Sequence, residues 1–219
     1  MRDRVAFGIK LGFDRAQATR LARLDTPEKI QDFVSALRSN PEHGGDTCLS
    51  AVEVLNQGHA HCIEAGFLAA AAFWMQGEPP LLMDFHAEGD DDHVVALFRR
   101  GRHWGAISKS NHVWLRWRDP IYRSLRELAL SYFHEYVNGP LKTMRAYSHA
   151  YDLRRIDKAR WITNRDNCWD VAEAIDRIRH YPLVTRAQAR RLRRRDRMEL
   201  RADKILEYPK ELAAEAARG

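Results

Sequence analysis

Cys62 and His93 are the two residues whose types and settings best suit covalent chemistry. A thiol attacks as its thiolate, and the unpaired backbone N–H groups and dipole at a helix N-terminus favour that anion. Cys62 stands at such a place. Gly58 allows a turn four residues upstream, and the apolar run CIEAGFLAAAAFWMQG predicts a buried helix from Cys62 to Met75. A catalytic thiol also needs an imidazole that takes its proton and hands it to a leaving group. His93 follows the acidic turn Glu88-Gly89-Asp90-Asp91-Asp92 and opens a predicted strand, where its ring can face a cleft. A lone free cysteine is ordinarily a small apolar filler, so the argument rests on the pairing with His93.

Strand pairing limits what could orient that imidazole. With Arg100-Gly101 as the central turn residues Ser108 lies opposite His93, and with the turn moved by one residue Ser110 does. The orienting group therefore falls between Ser108 and Asn111. Asn111 is favoured, because its amide oxygen accepts an imidazole N–H while the hydroxyls of Ser108 and Ser110 hold charge less well. The backbone N–H of Cys62 is the natural first oxyanion donor and Gln57 is the second candidate.

Several elements must position these groups. Thr26 and Asp25 offer capping oxygens to a helix over Pro27–Leu37 with Pro27 in its first turn, and Ser50 with Glu53 caps a short helix ending near Leu55. After the buried helix, the runs Leu81–His86, His93–Phe98 and Trp104–Ser108 read as an antiparallel meander. Ser124 and Glu127 start a helix reaching Tyr136, another is predicted near Cys168–Arg179, and an Arg-rich helix follows Thr185. Trp161 and Trp169 are read as packing anchors for the C-terminal helices. The fold class expected is α+β, a buried helix plus an antiparallel sheet. Residues 1–137 would form the core with its N-terminal helices, and residues 138–219 a basic helical extension.

Gly58-x-x-x-Cys62 opening an Ala-rich helix, then His93-Val-Val-Ala-Leu-Phe, then Gly101-Arg-His-Trp104, resembles the transglutaminase-like superfamily of cysteine enzymes over about Ser50–Asn111. In that family the Cys begins a helix, the His begins a strand, and an Asp closes the next strand shortly after a Trp. Here Ser108 or a near neighbour stands where that Asp falls. The resemblance implies acyl transfer or amide hydrolysis through Cys62 and His93, on a peptide, protein or small amide substrate and with no cofactor. The alternative is a catalytically inactive scaffold that keeps the fold and binds a partner.

Composition narrows the remaining classes. With 45% apolar and 30% charged residues the chain is that of an ordinary globular protein, and three widely spaced cysteines do not suggest a disulfide framework. No apolar run is long enough to span a bilayer and the first residues lack a secretory apolar stretch, so a cytoplasmic protein without membrane contact is expected. The net charge of +6 concentrates in Arg190–Arg197 and would suit an anionic partner such as nucleic acid. Asp196, Glu199 and Asp203 dilute it, and no stacking aromatics interleave, so a solvated helix face is favoured. His59, His61, Cys62, His86 and His93 have poor spacing for a metal cluster, and the acidic turn lacks the alternation of a calcium loop.

Overall fold

The structure is a computed structural model that describes residues 1–40, 42 and 45–207. The chain opens with α1 (Arg2–Leu11), α2 (Arg15–Ala22) and α3 (Pro27–Ala36). Asp14 and Gln17 form a reciprocal capping box on α2, and the Thr26 hydroxyl accepts the Lys29 N–H at the start of α3 with Pro27 in the first turn. β1 (Arg38–Ser39) pairs in parallel with β2 (His59–Ala60), which follows α4 (Ala51–Gln57). Ser50 caps α4 as its sequence suggests, and Gly58 ends it at φ 72°, a left-handed conformation that glycine adopts without strain. α5 then runs from Cys62 to Met75, the bounds read from its all-round apolar sequence.

A seven-stranded sheet lies against α5. Its meander is β3 (Leu81–Ala87), β4 (His93–Arg100), β5 (His103–Ile107) and β6 (Trp117–Tyr122), followed by α6 (Leu125–Phe133). Beyond it come β7 (Val137–Asn138), β8 (Leu141–Lys142), β9 (Met144–Ser148), β10 (Tyr151–Asp152), α7 (Trp169–Asp176), β11 (His180–Pro182), α8 (Arg186–Ala189) and α9 (Arg197–Ala202). The main sheet order is β11-β9-β3-β4-β5-β6, with β10 also pairing β3. Alternation along the strands separates two cores. Leu82, Val94, Ala96 and Phe98 pack with α5, while Met83, Phe85, Val95 and Leu97 pack with Leu128 and Tyr132 of α6. The mixed α and β content with an antiparallel sheet is as expected.

Residues 138–207, the described part of the segment that the sequence assigned to a helical appendage, are not one, and residues 208–219 lie outside the described residues. β9 pairs directly with β3 in the middle of the sheet and β11 extends it, so this segment completes the core. The Arg-rich segment is also no continuous helix: α8 has 4 residues, and the chain turns before α9. Arg195 folds inward onto Asp203 and the Gly139 carbonyl, while Arg193 pairs with Asp196 and Glu199, so the positive charge presents no uninterrupted face. Trp161 is fully buried against Phe67 and Trp74 of α5, an anchor as expected, but Trp169 is largely exposed. α6 stops at Phe133, short of Tyr136, which is buried beyond the helix end. No described helix is long and apolar enough to cross a membrane.

Candidate functional site

Cys62 is the first residue of α5, and the β1–β2 ladder pins the chain just before it, with Ser39 opposite Ala60. Gly66, one turn further, brings the start of the helix close to the sheet: a Cβ there would meet Leu82 Cδ2 at 3.3 Å and Val94 Cγ1 at 3.5 Å. That approach carries the thiol to the end of β4 where His93 begins the strand opposite Phe85. The His93 ring and the Cys62 thiol line the same cavity, and the ring favours the thiolate through hydrogen bonding and charge. His93 is buried between the rings of Phe85 and Tyr136.

The β4–β5 turn has Gly101 and Arg102 at its centre, with Arg100 opposite His103, the second of the two registers weighed from sequence. Continued, it would set Ser110 opposite His93, but β5 ends at Ile107 and the chain leaves the ladder. Gln31 of α3 takes over. Its side chain accepts the Ser108 N–H at 3.1 Å and donates to the Ser108 carbonyl at 3.0 Å. Held this way, the Ser108 hydroxyl lies 2.6 Å from His93 Nε2. Ser108, rather than the favoured Asn111, is thus the group on the far side of the ring; Asn111 lines the cavity beside it. With Nε2 engaged, Nδ1 is the nitrogen left for the sulfur.

His61 is the residue that the sequence reading placed only in the rejected metal cluster. Its ring also hydrogen-bonds the Cys62 side chain, and its Nε2 lies 2.8 Å from the Thr47 carbonyl oxygen and 3.2 Å from Glu64 Oε1. Glu64 is fully buried in the first turn of α5, yet every contact it makes is a donor: the N–H groups of His61 and Leu49, the Thr47 hydroxyl and the Asn40 amide. Burial alone would raise this carboxyl, but these bonds and the His61 ring hold it down at about 2. The signal was present in the sequence as an acid three residues after His61 at a helix start.

The same balance acts on the thiol. Burial pushes Cys62 up, and hydrogen bonds from His61 and His93, reinforced by the charge of both rings, bring it down to about 5. Burial dominates at the other two thiols, raising Cys168 to about 12 and Cys48 further still. Cys62 is half-buried and the other two are buried.

The thiol opens onto a cavity of about 350 Å³ lined by His61, His93, the acidic turn Asp90–Asp92, the loop Lys109–His112, and Glu135 to Val137. The acidic turn is built in: Asp92 accepts the Ala87 N–H, Asp90 accepts the Thr143 hydroxyl, and the Tyr136 hydroxyl donates to the Asp91 carbonyl. Lys109 is a buried cation satisfied by the Leu37 carbonyl and Glu207. Gln57 does not join the site. It is exposed at the end of α4 with its amide turned to Glu53, because the left-handed Gly58 directs the chain away from it. The backbone N–H of Cys62, at the first position of α5, is a candidate donor to a developing oxyanion. Among the described residues, the trio whose ligand atoms lie within 4.8 Å of one another is His86, Asp92 and Asp176, all exposed and without Cys62, although Asp92 also lines the thiol's cavity. No protein-family model matches this chain, and no curated protein matches it either.

Proposed function

We propose that the chain is a cysteine-dependent hydrolase or acyl-transferring enzyme of transglutaminase-like type, acting on an amide or ester carbonyl. The observation that carries this reading is the Cys62–His93–Ser108 line: a thiol of lowered pKa at a helix N-terminus, sharing the wall of a cavity with an imidazole whose far nitrogen is held. In the proposed cycle the Cys62 thiolate attacks the carbonyl carbon and forms the S–C bond. The oxyanion draws on the Cys62 N–H, and His93 gives the thiol-derived proton to the departing amine or alcohol as its bond to carbon breaks. Water or an amine, deprotonated by His93, then cleaves the thioester and restores thiolate and imidazolium.

An activated ester of a small carboxylic acid tests this directly. Intact-protein mass spectrometry should show one acyl adduct mapped to Cys62, absent from Cys62→Ala and slow to clear in His93→Ala. Acylation elsewhere at the same rate, or none, overturns the reading. One observation favours the alternative of an inactive scaffold: the group behind His93 is a hydroxyl and not a carboxylate. On that alternative Cys62 forms no adduct in the native protein, and Ser108→Asp gains the capacity.

A further inference from the structure

The site holds two imidazoles against one sulfur, and their other partners differ in kind. His61 Nε2 faces acceptors only: the Thr47 carbonyl at 2.8 Å and the carboxylates of Glu64 at 3.2 Å and Glu42 at 3.7 Å. A carbonyl oxygen cannot donate, so Nε2 must carry a proton. The remaining nitrogen is the one available to Cys62, and against a thiolate it too must donate. A ring that donates at both nitrogens is an imidazolium, and the fully buried Glu64 is its counter-ion. His93 differs. Its Nε2 meets the Ser108 hydroxyl, a neutral partner whose own proton reaches the Lys109 carbonyl at 3.3 Å, so no carboxylate stands behind that ring as a fixed counter-charge.

Resting on the Cys62 reading above, we propose that His61 is a second catalytic imidazole that stays protonated throughout the cycle and holds Cys62 as the thiolate, with Glu64 as its fixed counter-charge, leaving His93 alone to carry the proton. The carboxylate that is missing behind His93 is thereby supplied behind His61 instead. Charge and proton balance follow. The resting site is Glu64 anion, His61 cation, Cys62 anion and His93 cation. When the S–C bond forms, the sulfur's charge passes to the carbonyl oxygen and then to the leaving group, which takes the His93 proton. Water returns a proton to His93 as the C–S bond breaks, and His61 exchanges none. The other titratable groups near the pair are Glu42 beside His61, Tyr136 and Cys48, with Asp90, Asp91, Asp92, Lys109, His112 and Glu135 on the wall of the shared cavity. Tyr136 and Cys48 are both raised chiefly by burial and so are neutral at working pH, which leaves Glu64 as the closest fixed charge on His61.

The test is the pH profile of Cys62 alkylation by iodoacetamide, read by site-resolved mass spectrometry in the wild-type chain, His61→Gln and Glu64→Gln. In His61→Gln the rate at about pH 6 should fall about tenfold or more, and recover to within about threefold of wild type at about pH 9. Glu64→Gln should move the profile in the same direction, but Glu64 also ties down three loop donors and this variant alone could lose the fold. His61 is a quarter exposed at the cavity wall, so His61→Gln, checked by circular dichroism, keeps the test decisive. A folded His61→Gln with the wild-type profile overturns the proposal and leaves the Cys62–His93 reading intact. A wild-type Cys62 that labels no faster than Cys48 and Cys168 overturns that reading and the proposal together.

Discussion

At the scale of single residues, what sets Cys62 apart is a contest that burial loses. All three thiols are desolvated, but only at Cys62 do two imidazoles reverse the effect. Ser108 matters here because it fixes the plane and tautomer of His93 without committing the ring to one charge. Replacing Ser108 with Ala should lower kcat for acyl transfer by about 10- to 100-fold, the cost typical of losing a group that orients a reactive ligand, with a smaller change in KM. Steady-state kinetics on the ester substrate checks this, and a KM effect alone would assign Ser108 to substrate binding. The Cys and His of this pair were legible from sequence because each opens an element, and position in an element is a local property. Ser108 was legible only as one of a few neighbours. Its final place depends on Gln31, 77 residues earlier in the chain, and no local pattern reports such a clamp.

At the scale of elements, α5 and β4 must meet at their ends for the site to exist. Gly66 permits the approach, since Leu82 and Val94 already stand at contact distance from where its Cβ would be. Gly66→Val should destabilise the fold by about 1–3 kcal/mol through overpacking, measured by urea denaturation, and should slow Cys62 acylation at temperatures where the variant is folded. An unchanged midpoint would mean that the helix and sheet are not in close register there. The bounds of α5 were readable from its composition, and the caps Thr26, Ser50 and Ser124 marked their helices, because caps are made by neighbours in sequence. β9 and β11 were missed for the opposite reason. Their sequences, MRAYS and HYP, are short and mixed in polarity, and the pairing of β9 with β3, on which β11 then builds, is a long-range event.

For the molecule as a whole, the buried Glu64 links the site to stability. Its carboxyl is held at about 2 against an ordinary value of 4.5, so the folded state favours the anion. That contribution is complete above about pH 4.5, where the unfolded chain is also ionised, and is lost as pH falls through about 2. Thermal unfolding followed by circular dichroism should therefore show Tm dropping over this window in the wild-type chain. The slope should be shallower in Glu64→Gln, which starts from a lower Tm; identical slopes would remove Glu64 from the acid sensitivity.

The pairing of Cys62 with His93 is tested most directly by the site-resolved alkylation rates of the three cysteines in the native wild-type chain at about pH 7. Cys62 should be modified at least about tenfold faster than Cys48 and Cys168, which react only as the protein unfolds, and His93→Ala should remove most of that advantage. Equal rates at the three thiols, or a Cys62 rate indifferent to His93, would contradict the account.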